Sequence, residues 1–138
     1  MDKKIKALAT FLDINENDIE VNDYGTFEHG GEYLVLTDNE ANEKAKQEIL
    51  ESLWAFNSEF ILDCCELDSS RCVVASLQDM QENCCESCND FIRALIDGTC
   101  GIDAFVSLAI ESDGREHFIA TYDNEENEQD EYFIYRIN

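Results

Sequence analysis

A chain of 138 residues is long enough for one domain with an apolar core. Eight phenylalanines, five tyrosines and a tryptophan exclude a disordered acidic tail, which lacks the apolar surface to offset chain entropy. Thirty-two acids against nine bases give a net charge of −23, which argues against direct binding of nucleic acid or of an anionic membrane, because both need cationic patches.

In chain order, residues 2–12 are expected to form a short helix with Ile5, Leu8, Ala9 and Leu12 on one face. The polar stretch "DINENDIEV" then leads to two short strands, Tyr24–Glu28 and Glu32–Leu36. They are joined by "HGG", whose paired glycines allow the positive φ of a tight hairpin. "TDNE" is a capping box, with Thr37 as N-cap and Glu40 three residues on. The helix it opens carries Ala41, Ala45, Ile49, Leu53 and Trp54 on one stripe and is expected to run to about Asn57. Ser58 is placed to cap a second helix, "EFILDCCEL". Residues 69–83 and 86–97 follow with helical spacing, the latter stopped by Gly98, and "GIDAFVSLAIES" is a further helix ending near Gly114. A closing hairpin is expected from a strand with Phe118, Ala120 and Tyr122 in alternation and a partner strand from Tyr132 to Ile137.

With no proline and no Gly/Ser-rich linker, residues 1–138 read as a single α+β domain. Two β-hairpins, joined into one antiparallel sheet, flank a helical middle of several short helices. No apolar run approaches the roughly 18 residues of a membrane span, and the N-terminus lacks an apolar signal segment, so a cytoplasmic protein is expected.

Seven cysteines fall in one third of the chain. Only one C-x-x-C is present, Cys85 to Cys88, where a two-knuckle zinc site needs two. Cys65, Cys72, Cys85 and Cys88 are the set that facing helices could bring together around zinc. Against that stands core packing: Cys88 falls on a stripe with Phe91, Ile92, Leu95 and Ile96, and Cys64 and Cys65 with Phe60 and Ile61. Cysteine as core filler is the favoured reading, with no metal and no cofactor expected.

No catalytic signature stands out. Only His29, in a glycine turn, and His117 offer near-neutral acid–base groups, and no nucleophile, P-loop or dinucleotide fingerprint accompanies them. "DNEENEQD" also lacks the central glycine and final glutamate of a calcium loop. The expectation is that the chain is not an enzyme.

Charge is therefore the remaining signal. Beyond residue 12 there are 31 acids and six bases, a net of −25, and basic protein surfaces are the natural partners. Carboxylates two apart on a strand or four apart on a helix lie roughly 6–7 Å apart, about the span of two successive phosphates. Two groups are candidates for such phosphate mimicry. One is the helix face of Asp38, Glu40, Glu43, Glu48 and Glu51, interrupted by Lys44 and Lys46. The other is Asp123, Glu125, Glu126, Glu128, Asp130 and Glu131, unbroken by any base and expected at the tip of the closing hairpin. A different route to a partner is an apolar patch around Trp54, Phe56 and Phe60, which an accessory interaction module would use.

Two segments carry a resemblance. "GGEYLVLTDNEANEKAKQEILESLWAFNSEFI" and "GTCGIDAFVSLAIESDGREHFIATYDNEENEQDEYFIYRIN" together cover about half the chain, and they resemble uncharacterised acidic proteins carried by bacteriophages and conjugative elements. By charge and genetic context alone, the resemblance implies an anti-restriction or anti-CRISPR type of inhibitor. Its partner would be the basic, nucleic-acid-binding surface of a host defence complex. The resemblance brings no catalytic motif and no named target.

Overall fold

A computed structural model describes residues 2–138. The fold is α+β, with one five-stranded antiparallel sheet in the order β1-β2-β3-β5-β4. In chain order the elements are α1 (Asp2–Leu12), β1 (Glu20–Val21), β2 (Phe27–Glu28), β3 (Glu32–Leu36) and α2 (Asp38–Glu51). Then come α3 (Ser58–Cys64), α4 (Arg71–Cys84), α5 (Asn89–Asp97), α6 (Ile102–Asp113), α7 (Arg115–Ile119), β4 (Asn127–Gln129) and β5 (Tyr132–Arg136). The chain packs as two compact units, one formed by residues up to Ala45 together with Asp113–Asn138, the other by Lys46–Ser112.

The first unit holds the sheet. Its hairpin β2–β3 turns at His29–Gly31, with His29 N–H donating to the Gly31 carbonyl at 2.9 Å. Gly31 is needed there for space, since a Cβ would lie 2.7 Å from the Arg136 guanidinium and from the Asn138 carbonyl. Tyr33 and Val35 point to the face covered by α1, where Leu8, Ala9, Ile19, Phe27 and Ile134 form a buried cluster. Strand β5 is buried on both faces, because Ile134 and Tyr135, which point opposite ways, are 1 % and 0 % exposed. Each such side chain contributes about 1.5–3 kcal/mol on burial. The capping box forms as its spacing demands: Glu40 N–H donates to Thr37 Oγ1 at 3.2 Å, and Thr37 N–H to Glu40 Oε1 at 2.9 Å.

Several expectations need correction. Residues 118–122 are not a strand: Arg115–Ile119 is a short helix, closed by the Ala120 N–H donating to the Glu116 carbonyl at 2.8 Å, an i to i−4 bond. The partner of β5 is instead the polar strand Asn127–Gln129, so the acidic segment supplies a strand as well as a turn. The first hairpin strand shrinks from Tyr24–Glu28 to Phe27–Glu28, because Tyr24 is 94 % exposed in a preceding turn. That turn links β2 to a further short strand, Glu20–Val21, within the polar stretch that carried no strand signal. Helix α2 stops at Glu51, not Asn57, and a 3-10 turn over Leu53–Ala55 follows.

The second unit is helical. Asn57, not Ser58, caps α3, its side-chain oxygen accepting the Phe60 N–H at 3.0 Å. Ser58 turns inward, where its Oγ donates to Gln81 Oε1, and the Gln81 amide donates to the Leu53 and Phe56 carbonyls at 3.1 and 2.8 Å. This buried glutamine thus donates to the Phe56 carbonyl and adds a second donor to the Leu53 carbonyl, which already accepts the Phe56 N–H at 3.1 Å. Phe56, Phe60 and Phe105 form an aromatic triangle with centroids 5.6–6.1 Å apart. Ile61, Leu77, Ile92, Ile96 and Val106 join Phe105 in the buried interior. Trp54, Phe56 and Phe60, the expected apolar patch, are each half-buried, and the Trp54 backbone N–H donates to Asn89 Oδ1 at 2.9 Å.

Candidate functional site

The acidic segment is built around Arg115, at the start of α7. Its Nε donates to Glu126 Oε1 at 2.5 Å, and its Nη1 donates to Asp38 Oδ1 at 2.8 Å and to Asn42 Oδ1 at 2.9 Å. The guanidinium lies over the Phe133 ring, 4.4 Å from the centroid. Glu126 also accepts from the hydroxyl of Tyr135. Both partners respond electrostatically. Burial and then the neighbouring Glu126 carboxylate push the Tyr135 phenol well above its ordinary range, holding it neutral. Burial of Arg115 works against its charge, but the Glu126 and Asp38 carboxylates outweigh it and hold the guanidinium protonated.

This network divides the expected partner-binding residues into two kinds. Glu126 and Asp38 are structural, because Arg115 neutralises both. Glu40 belongs with them: it accepts from Thr37 N–H and from Lys4 Nζ, the latter at 2.9 Å, and these bonds lower its pKa. Glu48 is half-buried. Glu51 is exposed and its side chain accepts from Gln47 at 3.3 Å. The outward-facing remainder is Asp123, Glu125, Glu128, Asp130 and Glu131, with Glu43 on α2, all exposed. Asp123 shapes the approach to β4 by accepting the Glu125 N–H at 3.0 Å. Asp130 and Glu131 form the two-residue turn between β4 and β5, with φ of 52° and 72°. That is the backbone of a type I′ turn, which usually carries Asn-Gly.

Sequence reasoning missed a second acidic feature because it depends on register. Glu20 stands opposite Glu28, and Glu28 opposite Glu32, so three glutamates line up across β1, β2 and β3. Like charges in directly opposed positions are destabilising. Glu32 is partly compensated by the Thr26 hydroxyl, which donates to it at 2.8 Å. Across both units none of the described acidic side chains is buried.

The cysteines are not assembled for metal. Among the described residues no group of three or more His, Cys, Asp or Glu is placed to hold an ion, and Cys65 and Cys88 are buried while Cys72 and Cys85 are exposed. Burial, and after it the neighbouring Cys100, Cys65 and Asp63, push the Cys64 thiol to about 11. Burial likewise raises Cys65 and Cys88. The core-filler reading covers Cys65 and Cys88; Cys72, Cys84 and Cys85 are exposed and fall outside it.

His29 Nδ1 meets the Asp18 carbonyl at 3.1 Å, and His117 sits edge-on to Phe118 at 5.0 Å between centroids. An open cavity of about 580 Å³ in the helical unit is lined by Trp54, Phe56, Ser58, Gln78, Gln81 and Glu82 among others. Its buried polar pair, Ser58 and Gln81, is already bonded internally. No described helix is long and apolar enough to cross a membrane.

No family model matches the chain, and neither curated proteins nor solved structures give a match.

Proposed function

We propose that the chain is a non-catalytic anti-defence inhibitor of the anti-CRISPR or anti-restriction type. It acts in the host cytoplasm, on the basic surface with which a nuclease complex holds nucleic acid, and presents carboxylates where phosphates would lie. The observation that carries this reading is the exposed run Asp123, Glu125, Glu128, Asp130 and Glu131, the first two leading into β4 and the last three on the β4–β5 hairpin, with no base among them. Glu128 lies on β4, and Asp130 and Glu131 lie on the turn that follows it. A scaffolded carboxylate row costs less entropy on binding than a floppy tail of the same charge. It also attracts a cationic groove through the same salt-sensitive field that attracts nucleic acid.

The test is capture of partners from a host expressing restriction and CRISPR effectors, at low and high salt. The comparison is a variant with Glu125→Gln, Glu128→Gln, Asp130→Asn and Glu131→Gln. Glu126 is left intact because Arg115 and Tyr135 depend on it. The expected outcome is a complex that weakens steeply with salt and is lost in the variant, whose thermal stability is equal or higher. Retention of the same partner by the variant sinks this assignment.

A further inference from the structure

We infer that an apolar groove in the helical unit docks the apolar face of a basic amphipathic helix from a partner protein. The groove has a volume of about 370 Å³ and lies against α4 and α5, where Val73, Leu77 and Met80 face Phe91 and Leu95, with Leu67 closing one end. Phe91 is 52 % exposed and Leu67 36 %, so apolar surface is presented to solvent at a cost the fold does not need to bear. Met80 gives this surface an adaptable side chain.

Three observations select the occupant. First, the polar groups in the wall are already committed: Ser76 Oγ donates to the Cys72 carbonyl at 2.9 Å, and Asp68 accepts from the Ser70 N–H and hydroxyl at 2.9 and 3.2 Å. A small ligand needs unengaged polar groups to orient it, and the groove supplies none beyond these. Secondly, the groove is walled by helices and offers no strand edge, which suits helix-in-groove packing with anchors at i, i+3, i+4 and i+7 and not strand addition. Thirdly, its surroundings are acidic. The helical unit has 13 acids and three bases; Asp68 is in the wall, Asp63, Glu66 and Asp90 directly adjoin the lining residues Leu62, Leu67 and Phe91 in the chain, and Arg71 and Arg93 each stand two residues from a lining residue, so the acids outnumber the bases there. No base lines the groove. With a net charge of −23 on each chain, a second copy is repelled, and so is an anionic membrane. A helix with apolar anchors and cationic flanks meets both properties at once. The inference shares a basic partner with the function proposed above but uses another surface, so either can fail alone.

The experiment uses the full chain and three synthetic peptides, with binding read by calorimetry and by methyl NMR shifts of Met80. The first peptide has leucines at i, i+3, i+4 and i+7 with lysines elsewhere. The second scrambles the same composition, and the third replaces lysine by glutamate. The amphipathic Leu/Lys peptide is expected to bind at least about tenfold tighter than its scramble, with a bound aromatic anchor such as Phe91 contributing about a tenfold loss or more when truncated to alanine. Leu67→Ser should act in the same direction, and the Leu/Glu peptide should not bind. The four-residue carboxylate variant of the hairpin should keep most of the peptide affinity. Equal affinity for the scramble would mean charge alone is read, and would overturn the proposal. So would Met80 shifts that do not move on binding, an affinity indifferent to Phe91→Ala, or a dimer in sedimentation that Phe91→Ala disperses.

Discussion

Arg115 is the side chain on which the sheet-bearing unit depends most visibly. Its side chain is only 11 % exposed, and its guanidinium meets Glu126, Asp38, Asn42 and the Phe133 ring together. A lysine carries the charge but not the planar fork, so Arg115→Lys is not a mild change. Glu126→Ala removes the acceptor of the Tyr135 hydroxyl and of Arg115 Nε, while Nη1 keeps Asp38 and Asn42, and should cost roughly 2–3 kcal/mol in urea unfolding. The cluster also has a pH signature. The phenol of Tyr135 ionises near its ordinary pH of about 10 in the unfolded chain, but is held neutral well beyond that in the fold. Its stabilisation is therefore complete below pH 10 and is lost as pH climbs further. Unfolding free energy measured between pH 9 and 11 is expected to fall less steeply in Tyr135→Phe than in the parent. An equal slope in both would mean that another group governs the alkaline limb.

Among the elements, the β4–β5 hairpin invites the sharpest test. Glu131 adopts φ of 72°, a conformation that costs a non-glycine residue roughly 1–2 kcal/mol. Glu131→Gly should raise stability by about 1 kcal/mol through relief of that strain. Glu131→Gln, which removes the charge and keeps the strain, should give a smaller gain. The hairpin also marks the limit of what the sequence conveys. Elements governed by local chemistry were legible: the α1 stripe, the Thr37–Glu40 capping box, the glycine turn at Gly30–Gly31 and the stop at Gly114. Strands β1 and β4 were not, because they are polar edge strands that exist by pairing with Phe27–Glu28 and Tyr132–Arg136 and carry no hydrophobic period of their own. The alternation of Phe118, Ala120 and Tyr122 suggested a strand, yet five residues cannot separate a period of two from one helical turn. The candidate site was half legible. Exposure of Glu125, Glu128, Asp130 and Glu131 followed from their neighbours in the chain. The diversion of Glu126 and Asp38 into ion pairs depends on Arg115, 11 and 77 residues away, and no local pattern encodes it.

At the scale of the whole molecule, charge sets two opposite responses to salt. Raising ionic strength from 0.01 to 0.15 M shortens the screening length from about 30 to about 8 Å. Repulsion among the 32 acids is then reduced, so the melting temperature of the free chain should rise. Over the same interval the affinity for a cationic partner should fall, as the attraction is screened by the same ions. Thermal unfolding and binding, each measured across one salt series, should therefore move in contrary directions. A melting temperature that falls with salt would show that ion pairs such as Lys4–Glu40 and Lys46–Asp103 outweigh the repulsion.

The arrangement of the sheet also constrains the order in which the chain can fold. Leu34 pairs with Tyr135 and Leu36 with Phe133, contacts about a hundred residues apart in the chain, while Lys46–Ser112 is continuous and complete in itself. During synthesis the helical segment can collapse as soon as it emerges, but β3 must wait with a bare edge until residues 132–136 arrive. In that interval Glu32 opens the waiting strand, with Glu28 opposite it on β2, and their charge repels other chains in the same state. The acidity that strains the finished sheet thus acts as a guard against premature pairing while the sheet is unfinished.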